Sequence, residues 1–483
     1  MKEIRTRFAP SPTGYMHIGN LRTAIYEYLV AKTQNGKFIL RIEDTDQERF
    51  VEGAIEVIYN TLKTVGLDYD EGPDIGGPYG PYIQSERKPL YREYAQKLVE
   101  LGGAYYCFCA KERLERLRLD FESRGETFKY DGHCKSLTPD EVWRRISQNE
   151  PYVIRQKIPA GGETFFEDLV YGKITMENAQ LDEGVLLKSD GMPTYNFANV
   201  VDDHLMQISH VVRGSEYLIS TPKYNLIYQA FGWEIPSYIH LPPIMKSATK
   251  KLSKREGDAS FEDFLGKGYL KEAIVNYIVL LGWNPGTEEE FFSLEDLKKR
   301  FTIAGLSKAA AVFDPGKLRW MNGEYLRRMS LDEFHLLAVP YYTAIQRPGI
   351  DLKKVSQLLQ PRTEILSEIP EKIAFLGTLP DYSIELYVNK KMKTDGANSL
   401  ENLKAAKEAL STLQPWEHQT IYDRLMGLVN QLAVKNGQVL YPLRIAVSGL
   451  EVTPGGAVEL MELLGKDETM RRIEIGLGKL VQL

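Results

Sequence analysis

Within its first 66 residues the chain passes twice from a short β-type run into an amphipathic helical run, and that alternation limits it to a parallel α/β sheet. Ile4 to Ala9 reads as a strand. After a turn rich in proline and glycine, a helix is predicted to open near Gly19 with Leu21, Ala24, Ile25, Tyr28 and Leu29 on one face. Phe38 to Ile42 reads as the second strand. The capping-box pair Thr45 and Glu48 predicts the start of the next helix, with an apolar face of Val51, Ile55, Ile58, Leu62 and Val65 and a stop at Gly66.

From Ser85 a further helix is expected to run to Gly102 and Gly103. The stretch from 104 to 190 then loses the βα alternation, which marks it as an insertion. The α/β character resumes near Val185, carries through Val212, and gives way after residue 255 to mainly helical sequence. From residue 330 the periodicity is helical almost throughout, with Ser330 and Glu333 as another capping box and Leu400, Leu403, Leu410 and Leu413 at helical intervals. The expected fold is an α/β doubly wound, Rossmann-type domain with an α+β insertion, followed by an all-α C-terminal region. At roughly 150 residues per domain, 483 residues suit such a multidomain chain.

Sixty lysines and arginines against 66 aspartates and glutamates give a net charge of −6, so no overall positive field advertises a nonspecific nucleic-acid binder. Any contact with nucleic acid must be local. The longest apolar stretch, Ala273 to Trp283, is broken by Asn276 and falls far short of the roughly 20 residues that span a bilayer. The chain therefore reads as neither secreted nor membrane-spanning. Its 3 cysteines all lie between Cys107 and Cys134, which suits a reducing cytosol and a metal site better than a disulfide framework.

The sharpest local signal is Arg7-Phe8-Ala9-Pro10-Ser11-Pro12-Thr13-Gly14-Tyr15-Met16-His17-Ile18-Gly19-Asn20, a tight turn and a histidine between the first strand and the first helix. A helix N-terminus offers unpaired N–H groups, Gly19 lets a ligand approach the backbone, and His17 can donate to a phosphate oxygen. Far along the chain, Lys251-Leu252-Ser253-Lys254-Arg255 closes a hydrophilic stretch that begins at Lys246. Two ammonium groups three positions apart, Lys251 and Lys254, suit the clamping of a polyphosphate and the neutralising of a departing pyrophosphate. There is no GxxxxGK[ST] sequence, so a nucleotide site here is not a P-loop.

Together these runs resemble the two signatures of class I aminoacyl-tRNA synthetases, here His17-Ile18-Gly19-Asn20 and Lys251 to Arg255. Arg41-Ile42-Glu43-Asp44-Thr45-Asp46, Pro193-Thr194-Tyr195, Asn199 to His204, Phe313-Asp314 and Lys317 to Asn322 extend the likeness to the bacterial glutamyl-tRNA synthetases. Asn20 and Arg255 depart from the signatures' usual last residues, and both are variations known in that branch. The resemblance implies an aminoacyl-tRNA ligase that binds ATP with magnesium on His17, Gly19, Lys251 and Lys254, with His17 and the two lysines catalytic. It further implies glutamate on Arg7, Ala9, Ser11, Glu43, Tyr195, Asn199 and Arg213, and tRNA(Glu) as partner, with tRNA(Gln) a second substrate in some members. A guanidinium grips a carboxylate with two charge-assisted bonds, whereas glutamine's amide would present N–H groups to the same donor. By the same resemblance, 1–103 and 191–255 are the halves of the catalytic domain and 104–190 the insertion that holds the acceptor end. Residues 256–329 form a helical stem-contact region and 330–483 the helical anticodon-binding domain. A cytoplasmic monomer is expected.

Cys107-Phe108-Cys109, with Cys134 25 residues further on, supplies three thiolates, and a fourth donor completes a tetrahedral structural zinc site. Some family members carry zinc there. Tyr130 fits a YxxxC pattern as fourth ligand; His133 is the better intrinsic donor but crowds its neighbour. Asp202, Asp203 and His204 receive no catalytic role, because adjacent residues rarely converge on one ion. His210, His240, His335 and His418 read as isolated structural or surface residues, Trp320 as core, and Arg327 with Arg328 as solvated charge.

Overall fold

The structure, a computed structural model, describes residues 3–46, 51–252, 260–345 and 347–481. Ser253, Lys254 and Arg255 lie outside the described residues. The chain divides into two compact units, one of residues 1–265 and 274–314, the other of 266–273 and 315–483. No described helix is long and apolar enough to cross a membrane.

The first unit opens with β1 (Arg5–Phe8), α1 (Ile18–Lys32), β2 (Lys37–Leu40) and α2 (Ala54–Val65). β1 and β2 pair in parallel with Arg7 opposite Ile39, as the opening alternation predicts. All five residues assigned to the apolar face of α1 are buried, together with Ile18. Gly66 ends α2 with a left-handed φ of 84°. The start of α2 differs from the prediction: the helix begins at Ala54 after Gly53, not at the Thr45–Glu48 box. Long-range pairing prevails there. Ile42 bridges Ile83, the Asp44 carboxylate accepts from the Ser85 N–H at 2.8 Å, and the Val51 N–H reaches the Pro12 carbonyl; Glu48 lies outside the described residues.

α3 (Lys88–Glu100) leads into β3 (Ala104–Cys107), followed by α4 (Lys111–Ser123), α5 (Pro139–Ser147), β4 (Val153–Gln156), β5 (Glu163–Asp168), β6 (Gly172–Glu177) and β7 (Val185–Leu187). β3, β4 and β7 form an antiparallel sheet. β5 and β6 form a hairpin, and β5 meets β9 (Ser237–Leu241) in parallel, with Asp168 opposite Tyr238. Between them in sequence come α6 (Tyr195–Leu205), β8 (His210–Gly214) and α7 (Thr221–Phe231). The resulting sheet has the order β6-β5-β9-β8, with β8 parallel to β9 and Arg213 opposite His240. Tyr91, Ala95 and Leu98 of α3 pack with Phe197, Val201, Tyr224 and Ile227 in a common core. A short parallel pair, β10 (Ile244–Met245) and β11 (Ala311–Val312), completes the unit.

In the second unit, the described residues from Pro315 to Val481 form α-helices and 3-10 turns with no β-strand. Ser330 caps the helix Leu331–Ala338 through its predicted box with Glu333. Leu403 and Leu410 are fully buried, Leu413 is buried just beyond the end of their helix, and Leu400 packs at the edge of the same core. Trp320 departs from the core reading: it is 37% exposed, and the Lys317 ammonium sits 4.1 Å from its ring centroid. Arg327 is half-buried and pairs with Glu324 at 2.7 Å, so its charge is not simply solvated.

Candidate active site

A cleft of about 450 Å³ in the first unit lies at the ends of β1 and β8 and at the N-terminus of α1. Arg7, Ala9, Ser11, His17, Gly19, Glu43, Tyr195, Arg213 and Lys251 all line it, so nine residues singled out in the sequence come together. Asn199 does not line it; on the second turn of α6 it is buried at 2% exposure. Lys254 lies outside the described residues.

His17 is the N-cap of α1, and its Nδ1 accepts the Gly19 N–H at 3.0 Å. An imidazole that accepts at Nδ1 carries its proton at Nε2, the donor that a phosphate oxygen needs. A Cβ on residue 19 would stand 3.2 Å from that Nδ1, so glycine permits the close cap. The turn before it uses Gly14 at φ 108°, a backbone geometry that favours glycine. Lys251 is held in a tight turn by the Lys246 N–H to Lys250 carbonyl bond at 2.7 Å and by its bridge to Met245.

Beneath the cleft lies a closed network of charge. Arg7 donates to both carboxylate oxygens of Asp203, at 2.9 and 3.2 Å, and to Glu27 Oε1 at 3.3 Å. Arg41 donates to Asp203 at 2.8 Å and to Glu43 Oε1 at 3.0 Å. Asp202 faces away and takes Arg87 Nε at 2.7 Å, Gln84 at 2.8 Å and the Tyr91 hydroxyl at 2.7 Å. His204 stacks on Trp233 with ring centroids 3.8 Å apart. The three adjacent residues thus point to different neighbours, with Arg41 near both acids, and none lines the cleft.

Two guanidiniums and three carboxyl groups share this buried cluster, so burial and pairing compete at each acid. Burial pushes the Asp203 carboxyl up, yet Arg7 and Arg41 together outweigh it and hold it below the usual carboxylate range. Burial pushes Glu27 well above that range, with Arg7 too weak a counterweight. Glu43 is raised by burial against the pull of Arg41 and Arg7.

Arg213 is built in differently. Its Nε donates to His240 Nε2 at 3.2 Å and its Nη2 to Thr221 Oγ1 at 2.7 Å. The rings of Tyr217, Tyr224 and Tyr238 surround the guanidinium at 5.2, 4.7 and 5.3 Å. Sequence reasoning set His240 aside as isolated, because its partners Asp168 and Arg213 are 72 and 27 residues away. Glu27, which lines the cleft, escaped notice, and Asp203 was given no catalytic role. The spacing of Arg41 and Glu43, two apart on extended chain and therefore on one face, is the signal that could have found their contact.

A second cluster lies between β3 and the turn His133–Ser136. The sulfur atoms of Cys107, Cys109 and Cys134 lie within 4.8 Å of one another, a group suited to a metal ion. The Tyr130 hydroxyl is 3.4 Å from Cys107 Sγ and 3.3 Å from Cys109 Sγ. His133 is exposed and stands outside this group. Arg155 Nε donates to Cys107 Sγ at 3.3 Å, while its guanidinium lies 4.2 Å over the Tyr130 ring. Burial raises the Cys107 thiol, but hydrogen bonds from Tyr130, the Cys109 backbone and Arg155 prevail and hold it below its ordinary value. Three soft sulfurs, a phenolic oxygen and an adjacent cation fit a tetrahedral zinc centre.

The family described as "tRNA synthetases class I (E and Q), catalytic domain" matches residues 3–320, and an "Anticodon binding domain" matches residues 333–477. A glutamate–tRNA ligase of Clostridium tetani is 62% identical over 478 residues, covering 99% of this chain and 98% of the relative. One from Clostridium botulinum is 60% identical over 481 residues, 100% of this chain and 99% of the relative. The crystal structure of a glutamate tRNA ligase from Elizabethkingia meningosepticum in complex with its amino acid superposes with a TM-score of 0.91 at 35% identity, covering 99% of this chain and 100% of that one. A nucleotide-type cleft on an α/β unit, a helical second unit and these full-length likenesses agree: the chain belongs to the class I tRNA synthetases, in the glutamate–tRNA ligase family.

Proposed function

We propose that the chain is a glutamate–tRNA ligase that activates glutamate with ATP and esterifies it to the terminal adenosine of tRNA(Glu). One observation carries the reading: a single cleft holds a buried guanidinium set for a carboxylate, Arg7 and Arg213, beside the His17–Gly19 helix terminus and Lys251 for a polyphosphate. The glutamate α-carboxylate attacks the α-phosphorus of ATP, the bond to the β-phosphate oxygen breaks, and pyrophosphate leaves. The terminal 2′-hydroxyl of the tRNA then attacks the acyl carbon and releases AMP. His17 Nε2–H, the N–H groups opening α1, Lys251 and Lys254 hold the phosphates through this displacement. Magnesium, when bound, neutralises charge on the departing phosphates.

Arg213 grips the side-chain carboxylate of the substrate, Glu43 faces its ammonium, and Ala9, Ser11 and Tyr195 complete the glutamate site. Such a site rejects the isosteric amide by leaving buried donors opposed, so no editing domain is required. Residues 104–190 receive the acceptor end, 256–329 the stem and 330–483 the anticodon, which is read through unstacked bases. Local contacts of that kind reconcile RNA binding with a net charge of −6. A structural zinc held by Cys107, Cys109, Cys134 and Tyr130 fixes the insertion, and the enzyme works as a cytoplasmic monomer.

The test is charging of purified tRNA(Glu) and tRNA(Gln) with glutamate, ATP and magnesium. Charging of the first alone identifies a discriminating enzyme and charging of both a nondiscriminating one. Charging of neither overturns the proposal.

A further inference from the structure

Arg213 can present its outer N–H groups to a substrate carboxylate only while its inner edge is held, and that edge is held by a histidine. His240 is fully buried on β9. Its Nδ1 lies 2.6 Å from Asp168 Oδ2, at the end of β5, and its Nε2 lies 3.2 Å from Arg213 Nε on β8. Asp168 is itself saturated, since Oδ1 accepts the Val170 and Tyr171 N–H groups at 2.9 and 2.8 Å and Oδ2 also accepts the His240 N–H at 3.1 Å. With three backbone N–H groups already on its two oxygens, Asp168 faces Nδ1 as an acceptor. Nδ1 must therefore be the protonated nitrogen and Nε2 the lone-pair nitrogen, the only arrangement in which the Arg213 Nε–H finds an acceptor.

We infer that His240 is a positioning residue for substrate glutamate: Asp168 fixes its tautomer, and its Nε2 lone pair orients the Arg213 guanidinium toward the cleft. The inference rests on the proposed glutamate site and names the residue that keeps its recognising cation in place. Arg213 Nε and Nη2 are spent on His240 and Thr221, whereas Nη1 makes no hydrogen bond among the described residues. Protonation of His240 would turn Nε2 into a donor facing another donor, and the guanidinium would rotate or retreat. The charged and titratable groups around the ring are Asp168 on β5, Arg213 on β8, Tyr238 on its own strand, whose ring centroid is 6.0 Å away, and Glu216 beyond β8. Burial, aided by Arg213, outweighs Asp168 and Glu216 and keeps His240 below its ordinary value, so the lone pair persists at neutral pH and is lost only in acid.

Two replacements separate positioning from simple packing. His240→Gln places an amide oxygen near the ε position and retains an acceptor for Arg213. His240→Asn retains a donor toward Asp168 but has no acceptor that reaches Arg213. Steady-state charging of tRNA(Glu) is read for KM of glutamate, KM of ATP and kcat between pH 5.5 and 8. In His240→Asn, KM for glutamate is expected to rise at least tenfold, with KM for ATP within twofold. His240→Gln is expected to recover most of that loss and to lack the rise in KM for glutamate toward acid that is expected of the unsubstituted enzyme. Equal effects of the two replacements, an unchanged KM for glutamate in His240→Asn, or a parallel rise in KM for ATP would each overturn the inference. Should His240→Asn fail to fold, the pH profile of His240→Gln decides alone: an acid rise in KM equal to that of the unsubstituted enzyme overturns it. An unsubstituted enzyme that does not charge tRNA with glutamate defeats the proposed function instead, an outcome distinct from all of these.

Discussion

Arg7 and Asp203, 196 residues apart, meet in a buried two-point contact of 2.9 and 3.2 Å that ties β1 to the end of α6 beneath the cleft. The same carboxylate receives Arg41 at 2.8 Å, so one acid orders two guanidiniums. Arg7 has the more distant Glu27, at 3.3 Å, as its second carboxylate, whereas Arg41 also reaches Glu43 at 3.0 Å. Asp203→Asn, which leaves one acceptor oxygen for both, is expected to destabilise the chain by about 3–5 kcal/mol and to lower kcat/KM for glutamate at least a hundredfold. Thermal unfolding and charging kinetics check the two effects, and wild-type values in both would contradict the assignment.

Glu27 leads to an opposite expectation. Its folded-state pKa is raised by burial, so it costs stability as pH rises above about 4.5, the ordinary glutamate value, and the cost levels off beyond the raised folded value. Glu27→Gln removes that cost. The replacement should therefore stabilise the protein relative to the parent more at pH 7.5 than at pH 5. A Tm difference that is equal at both pH values, or larger at pH 5, would contradict a raised Glu27.

The cysteine cluster predicts about one zinc per chain as purified. Cys109→Ser should lose it, Tyr130→Phe should bind it more weakly, and His133→Ala should retain it, because His133 stands outside the sulfur group. Elemental analysis of the four proteins decides. A zinc content near zero in the unsubstituted chain rules the centre out.

In the helical unit, Arg472 is fully buried and donates to Glu468 at 2.7 Å and to the carbonyls of Phe375 and Val447 at 2.7 and 2.6 Å. Arg471 and Arg347 bind the same Glu468, which their hydrogen bonds hold far below the usual carboxylate range. Arg472→Ala is expected to cost about 3–5 kcal/mol, read from urea unfolding of the full chain. The Glu468 contribution is present above about pH 4.5 and fades as pH falls below it, so the parent and Glu468→Gln should converge in stability toward acid.

What the sequence disclosed and what it hid divide by distance along the chain. The cap at His17, the stop at Gly66 and the Ser330 box are local, each settled within four residues by hydrogen bonds that turn and cap chemistry specify. The Thr45 box is equally local, yet α2 opens only at Ala54: Ile83 and Ser85 hold Ile42 and Asp44 just before it, and Glu48 lies outside the described residues. The nine residues gathered in the cleft were legible through long runs shared with a family, not through periodicity. Their supports were not: Asp168 reaches His240 across 72 residues, and the β5–β6 hairpin inside the apparent insertion joins β9. Nothing in the spacing of a lone histidine announces a carboxylate on a strand four strands earlier.

The account turns on a cleft that recognises a side-chain carboxylate, and the most direct measurement offers the purified enzyme tRNA(Glu), ATP and magnesium with glutamate or glutamine in parallel. A site built on Arg213 and its tyrosine cage predicts attachment of glutamate with a preference in kcat/KM of about 10⁴ or more over glutamine. Comparable attachment of the two amino acids, or of glutamine alone, would contradict it.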